Sequence, residues 1–214
     1  MHEYIDIYCE RTAPGFWNEP LNAISNVLFI IAALFAYRLK RNQNINDHYV
    51  SVLILALAAI GVGSFLFHSF ATAWAQLADV LPILIFQVSF IAAYSIRVIR
   101  LSRIKSTIAL LSFVGLTLLF GMLPQHWLNG SIGYGPALIF LSMFGAYHLS
   151  KNKNEPTLLI KAALLFAISL FFRSIDMAVC EYLSIGVHYF WHAFNALVLY
   201  MVIRALIMNI EKKI

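Results

Sequence analysis

The sequence predicts an all-α integral membrane protein: a bundle of seven transmembrane helices, N-terminus outside and C-terminus cytoplasmic. Three observations lead there. Of the 214 residues, 61% are hydrophobic and only 12% charged, against roughly 25% charged in a soluble domain. The apolar residues fall into seven runs long enough to span a bilayer. The Lys and Arg residues crowd into one alternate set of the connections between those runs.

A hydrocarbon core about 30 Å thick asks for ~20 apolar residues as helix. The qualifying segments are 20–38, 49–70, 74–96, 106–123, 134–150, 157–175 and 187–209. Some are admitted by letting a terminal lysine or arginine snorkel to the interface. Most connections are short and polar, as in KRNQNINDH and KNKNEP, and leave no room for a soluble domain. There is no internal repeat, so 1–214 reads as one domain. No basic stretch with a cleavage site precedes the first run, so a cleaved signal peptide is not expected.

Orientation follows from the basic residues. Arg38, Lys40, Arg41, Arg97, Arg100, Arg103, Lys105, Lys151, Lys153, Lys161, Arg204, Lys212 and Lys213 fall on one side, and only Arg11 and Arg173 on the other. The richer side is read as cytoplasmic. The net charge of +5 is thereby assigned to topology, and a nucleic-acid partner is not expected.

With seven alternating helices, the depth of each polar residue can be estimated. The second helix runs outward and carries His68, in GSFLFHSF, near its outer end. The third runs inward and carries Asp79, in QLADVLP, near its start. The seventh opens on HYFWH, so His188 and His192 lie in its first two turns; His192 stands ~18 Å above Arg204 at 1.5 Å per residue. Three histidines and a carboxylate thus reach one outer layer. Residues i and i+4 share a helix face, so His188 pairs with His192 and Ser64 with His68. Two imidazoles in that register suit two ligands on one metal, and a third from a neighbouring helix leaves a position open for water, as in catalytic zinc sites. The alternative is three hydrogen-bonded packing histidines, although ionisable groups inside a membrane are costly and usually functional.

Other readings stay open beside this one. Asp79 could pair with Arg173, and Ser64 could bond back to its own helix. His2, His48, His126 and His148 read as solvated or interfacial, with His126 a substitute ligand. Cys9 and Cys180 both fall on the outer, disulfide-permissive side, which suggests a bridge rather than two free thiols. Glu3, Asp6, Glu10 and Glu19 make the N-terminal tail acidic; such carboxylates could bind Ca²⁺, favour the start of the first helix, or simply solvate the tail. NGS at 129–131 matches a glycosylation sequon close to the membrane.

The stretches GSFLFHSFATAWAQLADVLPI, RSIDMAVC and HYFWHAFNALVLY resemble the alkaline ceramidase family of the CREST superfamily of membrane hydrolases. The tail YCERTAPGFWNEPLNAISN is similar to the lead into the first helix of that family, especially of its bacterial members. The resemblance implies zinc on His68, His188 and His192 with water as fourth ligand. It implies that Asp79 handles the water's proton, that Ser64 stabilises the oxyanion, and that Cys9 and Cys180 are joined. It extends to calcium as a candidate: Glu10 and Glu19 match two acidic positions of the family's eukaryotic ceramidases, with Asp6 a possible third. Thr-Ala-Pro-Gly, however, stands where an asparagine ligand would be expected.

The expectation is therefore a zinc-dependent amidase that cleaves the N-acyl bond of ceramide-like lipids drawn sideways from the bilayer. Its membrane is expected to be a bacterial cytoplasmic one, with the site towards the outer side and no obligate protein partner. Alternatives are a receptor or lipid sensor with structural zinc, a hydrolase of another membrane lipid, or a haem carrier using His68 and His192. A retinal protein is disfavoured because the seventh helix has no lysine.

Overall fold

The structure, a computed structural model, describes residues 4–124 and 126–211. Among them there is no strand, only an isolated bridge between Tyr4 and Thr72. Seven helices are long and apolar enough to cross a membrane: α1 (Pro20–Asn42), α2 (His48–Phe70), α3 (Ala73–Ile99), α4 (Arg103–Gly121), α5 (Trp127–Ser150), α6 (Leu158–Ile175) and α7 (His188–Ile207). The predicted all-α membrane bundle is what forms. Its periphery is apolar in the way lipid requires. α4 buries only Ser106 and Phe113 and turns Ile104, Ile108, Leu111 and Leu118 outward.

Boundaries shift where caps decide them. α4 begins at Arg103, three residues before the expected start, because the Ser102 hydroxyl accepts from the Lys105 amide at 3.4 Å. A side-chain oxygen of this kind satisfies one of the donors a helix leaves free at its first turn. Asp47 does the same for α2, accepting from the Tyr49 and Val50 amides at 2.9 and 3.3 Å, and pairs with Arg97 at 2.8 Å. α5 opens with a 3₁₀ stretch, Trp127–Tyr134, in which Leu128, Asn129 and Gly130 all have positive φ.

Polar contacts sort by end. At one end Asp47 meets Arg97, Glu155 meets Arg204, and Asn154 is held by Asn209. At the other end lie His68, His188 and His192, the N-terminal tail and the α6–α7 loop. Lys212, Lys213 and His2 lie outside the described residues. One expectation is corrected here: His148 is not solvated but wholly buried. Its Nδ1 lies 2.6 Å from the Tyr94 hydroxyl and its Nε2 3.0 Å from the Asn154 carbonyl. The segment after α5 folds back over its last turn, and proximity to a helix end does not reveal that.

α7 is the core helix, packing against α1, α2, α3 and α6. The closest approach that matters for the site is between α2 and α3. Pro82 lies inside α3 and has no N–H for the carbonyl of Ala78, four residues earlier. That freed oxygen faces Gly63 of α2: a Cβ built on Gly63 would stand 2.0 Å from it. Proline and glycine thus act as a pair, one releasing an oxygen and the other admitting it. Gly63→Ala is expected to force the helices apart, an overpacking cost of about 1–3 kcal/mol. Thermal unfolding in detergent should show a midpoint lower by on the order of 5 °C.

Candidate metal centre

The Gly63–Ala78 contact sets the Asp79 backbone beside α2, its amide nitrogen 3.1 Å from that built Cβ. Asp79 consequently lines the same cavity as Ser64, with His68 close by. Ser64 and His68 are buried one turn apart on α2. α7 starts at His188 because Asp176, fully buried in the preceding loop, caps it: Oδ1 accepts from the amides of Val187 and His188 at 2.7 and 2.9 Å. Gly186 makes this possible, with φ of +62° and an Asp176 oxygen 2.3 Å from where its Cβ would be. The other Asp176 oxygen accepts from the Cys9 amide at 2.9 Å, beside the Cys9–Cys180 disulfide. The expected bridge is present and fastens the tail to the α6–α7 loop.

His68, His188 and His192, each about 1% exposed, bring one ring nitrogen apiece to within 4.8 Å of one another. Their hydrogen bonds fix the tautomers. His68 Nδ1 lies 2.5 Å from Glu19 Oε2, a carboxylate that can only accept, so the proton is on Nδ1. His192 Nδ1 lies 2.7 Å from Ser25 Oγ, whose own proton goes to the Asn22 carbonyl at 2.9 Å, so Nδ1 is again the donor. With both rings neutral, each Nε2 presents a lone pair, and the two face each other 3.1 Å apart. A metal ion held between the rings is one arrangement that satisfies them, and the three ring nitrogens that converge here are a set that could hold one. Two nitrogens on a tetrahedral zinc at about 2.05 Å stand ~3.3 Å apart, close to the spacing found. The third histidine supports the same reading, since His188 Nδ1 is buried without a hydrogen-bond partner. Donors that fix a ligating imidazole from behind are a regular part of such sites.

The other sequence candidates sort clearly. Arg173 does not form an ion pair with Asp79 among the described residues; it donates to the Asn129 carbonyl at 2.5 Å and to Ser131 Oγ at 3.1 Å, with its guanidinium over the adjoining rings of Tyr134 and Trp191. Asn129 of the sequon returns a hydrogen bond to the Arg173 carbonyl at 3.3 Å. His126 is exposed and outside the triad, and His48 is exposed as expected. The haem alternative fails on spacing, because imidazole nitrogens 3.1 Å apart leave no slot for a porphyrin.

The tail carboxylates are otherwise engaged, and as placed they do not compose a calcium site. Asp6 is exposed. Both Glu10 oxygens accept helix amides, from Leu21 at 2.7 Å and Asn22 at 2.9 Å, which is the helix-start role of an acidic residue. Burial outweighs those bonds and raises the Glu10 pKa. Glu19 is 2% exposed and bonds His68, Arg11 and Asn22. Burial alone would raise its pKa, but the hydrogen bonds from His68 and Arg11 prevail and hold it below the usual range.

The sequence reading missed Tyr8, Ser25 and Asp176. Tyr8 stacks on the His188 ring at 3.7 Å between centroids and closes the outer end of the site. Burial pushes its hydroxyl pKa up, so it remains a donor. From the histidines a cavity runs inward, lined along α7 from His188 to Val202, a length of ~21 Å. Ser64, Asp79, His188 and His192 sit at its outer part, and Phe86, Phe90, Phe140 and Phe144 make much of the wall.

A family model described as Ceramidase matches residues 8–212. Among curated proteins none matches the chain.

Proposed function

Because the chain belongs to the ceramidase family, we propose that it is a zinc-dependent intramembrane amidase. It splits the N-acyl bond of a ceramide-like lipid into a fatty acid and a long-chain base. The observation that carries this reading is the convergence of one ring nitrogen each from His68, His188 and His192, beside a carboxylate and a hydroxyl at the mouth of an apolar cavity.

His68, His188 and His192 would hold the zinc, which when bound supplies an acidified water and a polarised carbonyl. Asp79 takes the proton of the attacking water and returns it to the departing amine, the work of a general base turned acid. Ser64 is coupled to that transfer. Ser64 and Asp79 both line the cavity beside the histidines; while Asp79 is a carboxylate it would attract the Ser64 proton, and once it holds a proton of its own the Ser64 O–H turns to the developing oxyanion. One such donor is typically worth ~100- to 1000-fold in rate. The acyl chain occupies the aromatic-walled cavity, and the lipid enters from the bilayer. The excess of basic residues at the far end supports an N-terminus and active site on the non-cytoplasmic side, and a disulfide in the tail suits that compartment. A bacterial cytoplasmic membrane is the location we favour.

Metal analysis of the detergent-purified protein, joined to hydrolysis of a panel of N-acyl lipids, tests this. The expected result is about one zinc per chain, with release of fatty acid that stops on chelation and returns with zinc. Zinc without release across the panel sinks the enzyme in favour of a sensor. Release that survives complete removal of metal sinks the zinc chemistry.

A further inference from the structure

Behind His68, away from the cavity, is a hollow made of oxygens. It contains the Glu19 carboxylate, the Gly15 carbonyl and the carbonyl of His68 itself, which belongs to the last turn of α2. Carbonyls at a helix C-terminus have no partner within the helix, and the helix dipole makes that end negative. A carboxylate, two carbonyls and a negative helix end are the surroundings a hard divalent cation such as calcium selects. The hollow instead holds Arg11. Its side chain is wholly buried, at 0% exposure. Nε donates to Glu19 Oε1, one terminal nitrogen donates to the His68 carbonyl at 2.5 Å, and the other to the Gly15 carbonyl at 3.2 Å. The Tyr4 ring lies 5.6 Å from the guanidinium and its hydroxyl ties down the Ala13 carbonyl at 3.0 Å.

We infer that Arg11 is a tethered cation standing in place of a tail calcium ion, and that it is a positioning residue for the metal ligand His68. It holds His68 twice: at its backbone carbonyl directly, and at its ring through Glu19, whose second oxygen takes the Nδ1 proton. The planar fork matters to both contacts. Lysine, a single ammonium, could neutralise Glu19 but could not hold the carboxylate and two carbonyls in fixed directions. A divalent ion ligated by Glu19 would sit beside this guanidinium and be repelled by it, so the chain dispenses with calcium. The inference rests on the metal centre proposed above, but not on the identity of the lipid.

The test uses the zinc-loaded protein in detergent. Wild type is expected to show no saturable binding of radioactive calcium and no change of unfolding midpoint when calcium chloride is added. Arg11→Gln is expected to surrender zinc to the chromogenic chelator 4-(2-pyridylazo)resorcinol with affinity reduced ~10- to 100-fold, the usual cost of losing an outer-shell partner. Arg11→Lys should fall between the two. Arg11→Ala, which empties the hollow and leaves Glu19 uncompensated, should gain saturable calcium binding that restores zinc retention. Calcium bound by wild type at about one per chain would overturn the inference, as would wild-type zinc affinity in Arg11→Gln. If the glutamine and alanine variants fail to fold, the lysine variant and the wild-type calcium titration decide. None of these readouts needs hydrolysis, so a failure to find the substrate would leave this result standing, and the reverse.

Discussion

His192→Ala is expected to lose bound zinc and to lower hydrolysis of an N-acyl lipid by more than ~1000-fold. A single oxyanion donor accounts for ~100- to 1000-fold, and a zinc ion held by the triad would both play that part and supply the nucleophile. The loss should be specific to the site. Alanine is the best helix former, and α7 stays anchored at its start by Asp176 and along its length by buried Ala196, Ile203 and Leu206. Helical circular dichroism should therefore persist while zinc content falls towards zero. A variant that keeps about one zinc and turns over within tenfold of wild type would show that the imidazole is a packing residue.

Asp79→Asn divides the metal from the proton chemistry. Asparagine has the shape of aspartate and can still meet Ser64, but it cannot take a proton from water or pass one to an amine. Zinc content should match wild type, because Asp79 is outside the group of nitrogens that converge. Turnover should fall by ~100- to 10,000-fold, the range of general acid–base catalysis. The contrast with His192→Ala is the diagnostic: one variant loses metal and rate together, the other rate alone. Loss of zinc in Asp79→Asn would reassign the carboxylate as a ligand, and unchanged turnover would remove it from the mechanism.

How much of this was legible in the sequence depends on the range of each interaction. His188 with His192, and Ser64 with His68, follow from helix period alone, and the layer they share follows from counting turns inward from charged ends. The helices themselves were legible because lipid demands long apolar runs and tolerates little else. The supports of the site were not. Glu19 meets His68 across 49 positions and Ser25 meets His192 across 167; no local pattern announces either contact. Glu19 was a calcium candidate through the family resemblance, beside helix-start and solvating roles, because an acidic tail looks the same whether it faces a metal or an arginine. His148 was misjudged for a related reason: its place near a helix end was right, but the fold of the following loop over it is tertiary. The kinship of Pro82 with Gly63 was also hidden, since each residue alone reads as a mild defect in a helix.

The tail lies across the histidine-bearing end of the bundle, pinned at Thr72, at Asp176 and by the disulfide, with Tyr8 stacked on His188. A molecule dissolved in water meets a lid there. For a lipid hydrolase built this way, the quantity that governs encounter is the mole fraction of substrate in the surrounding leaflet, a two-dimensional concentration. Diluting the suspension would leave the rate per chain unchanged, whereas diluting the substrate with inert lipid would lower it.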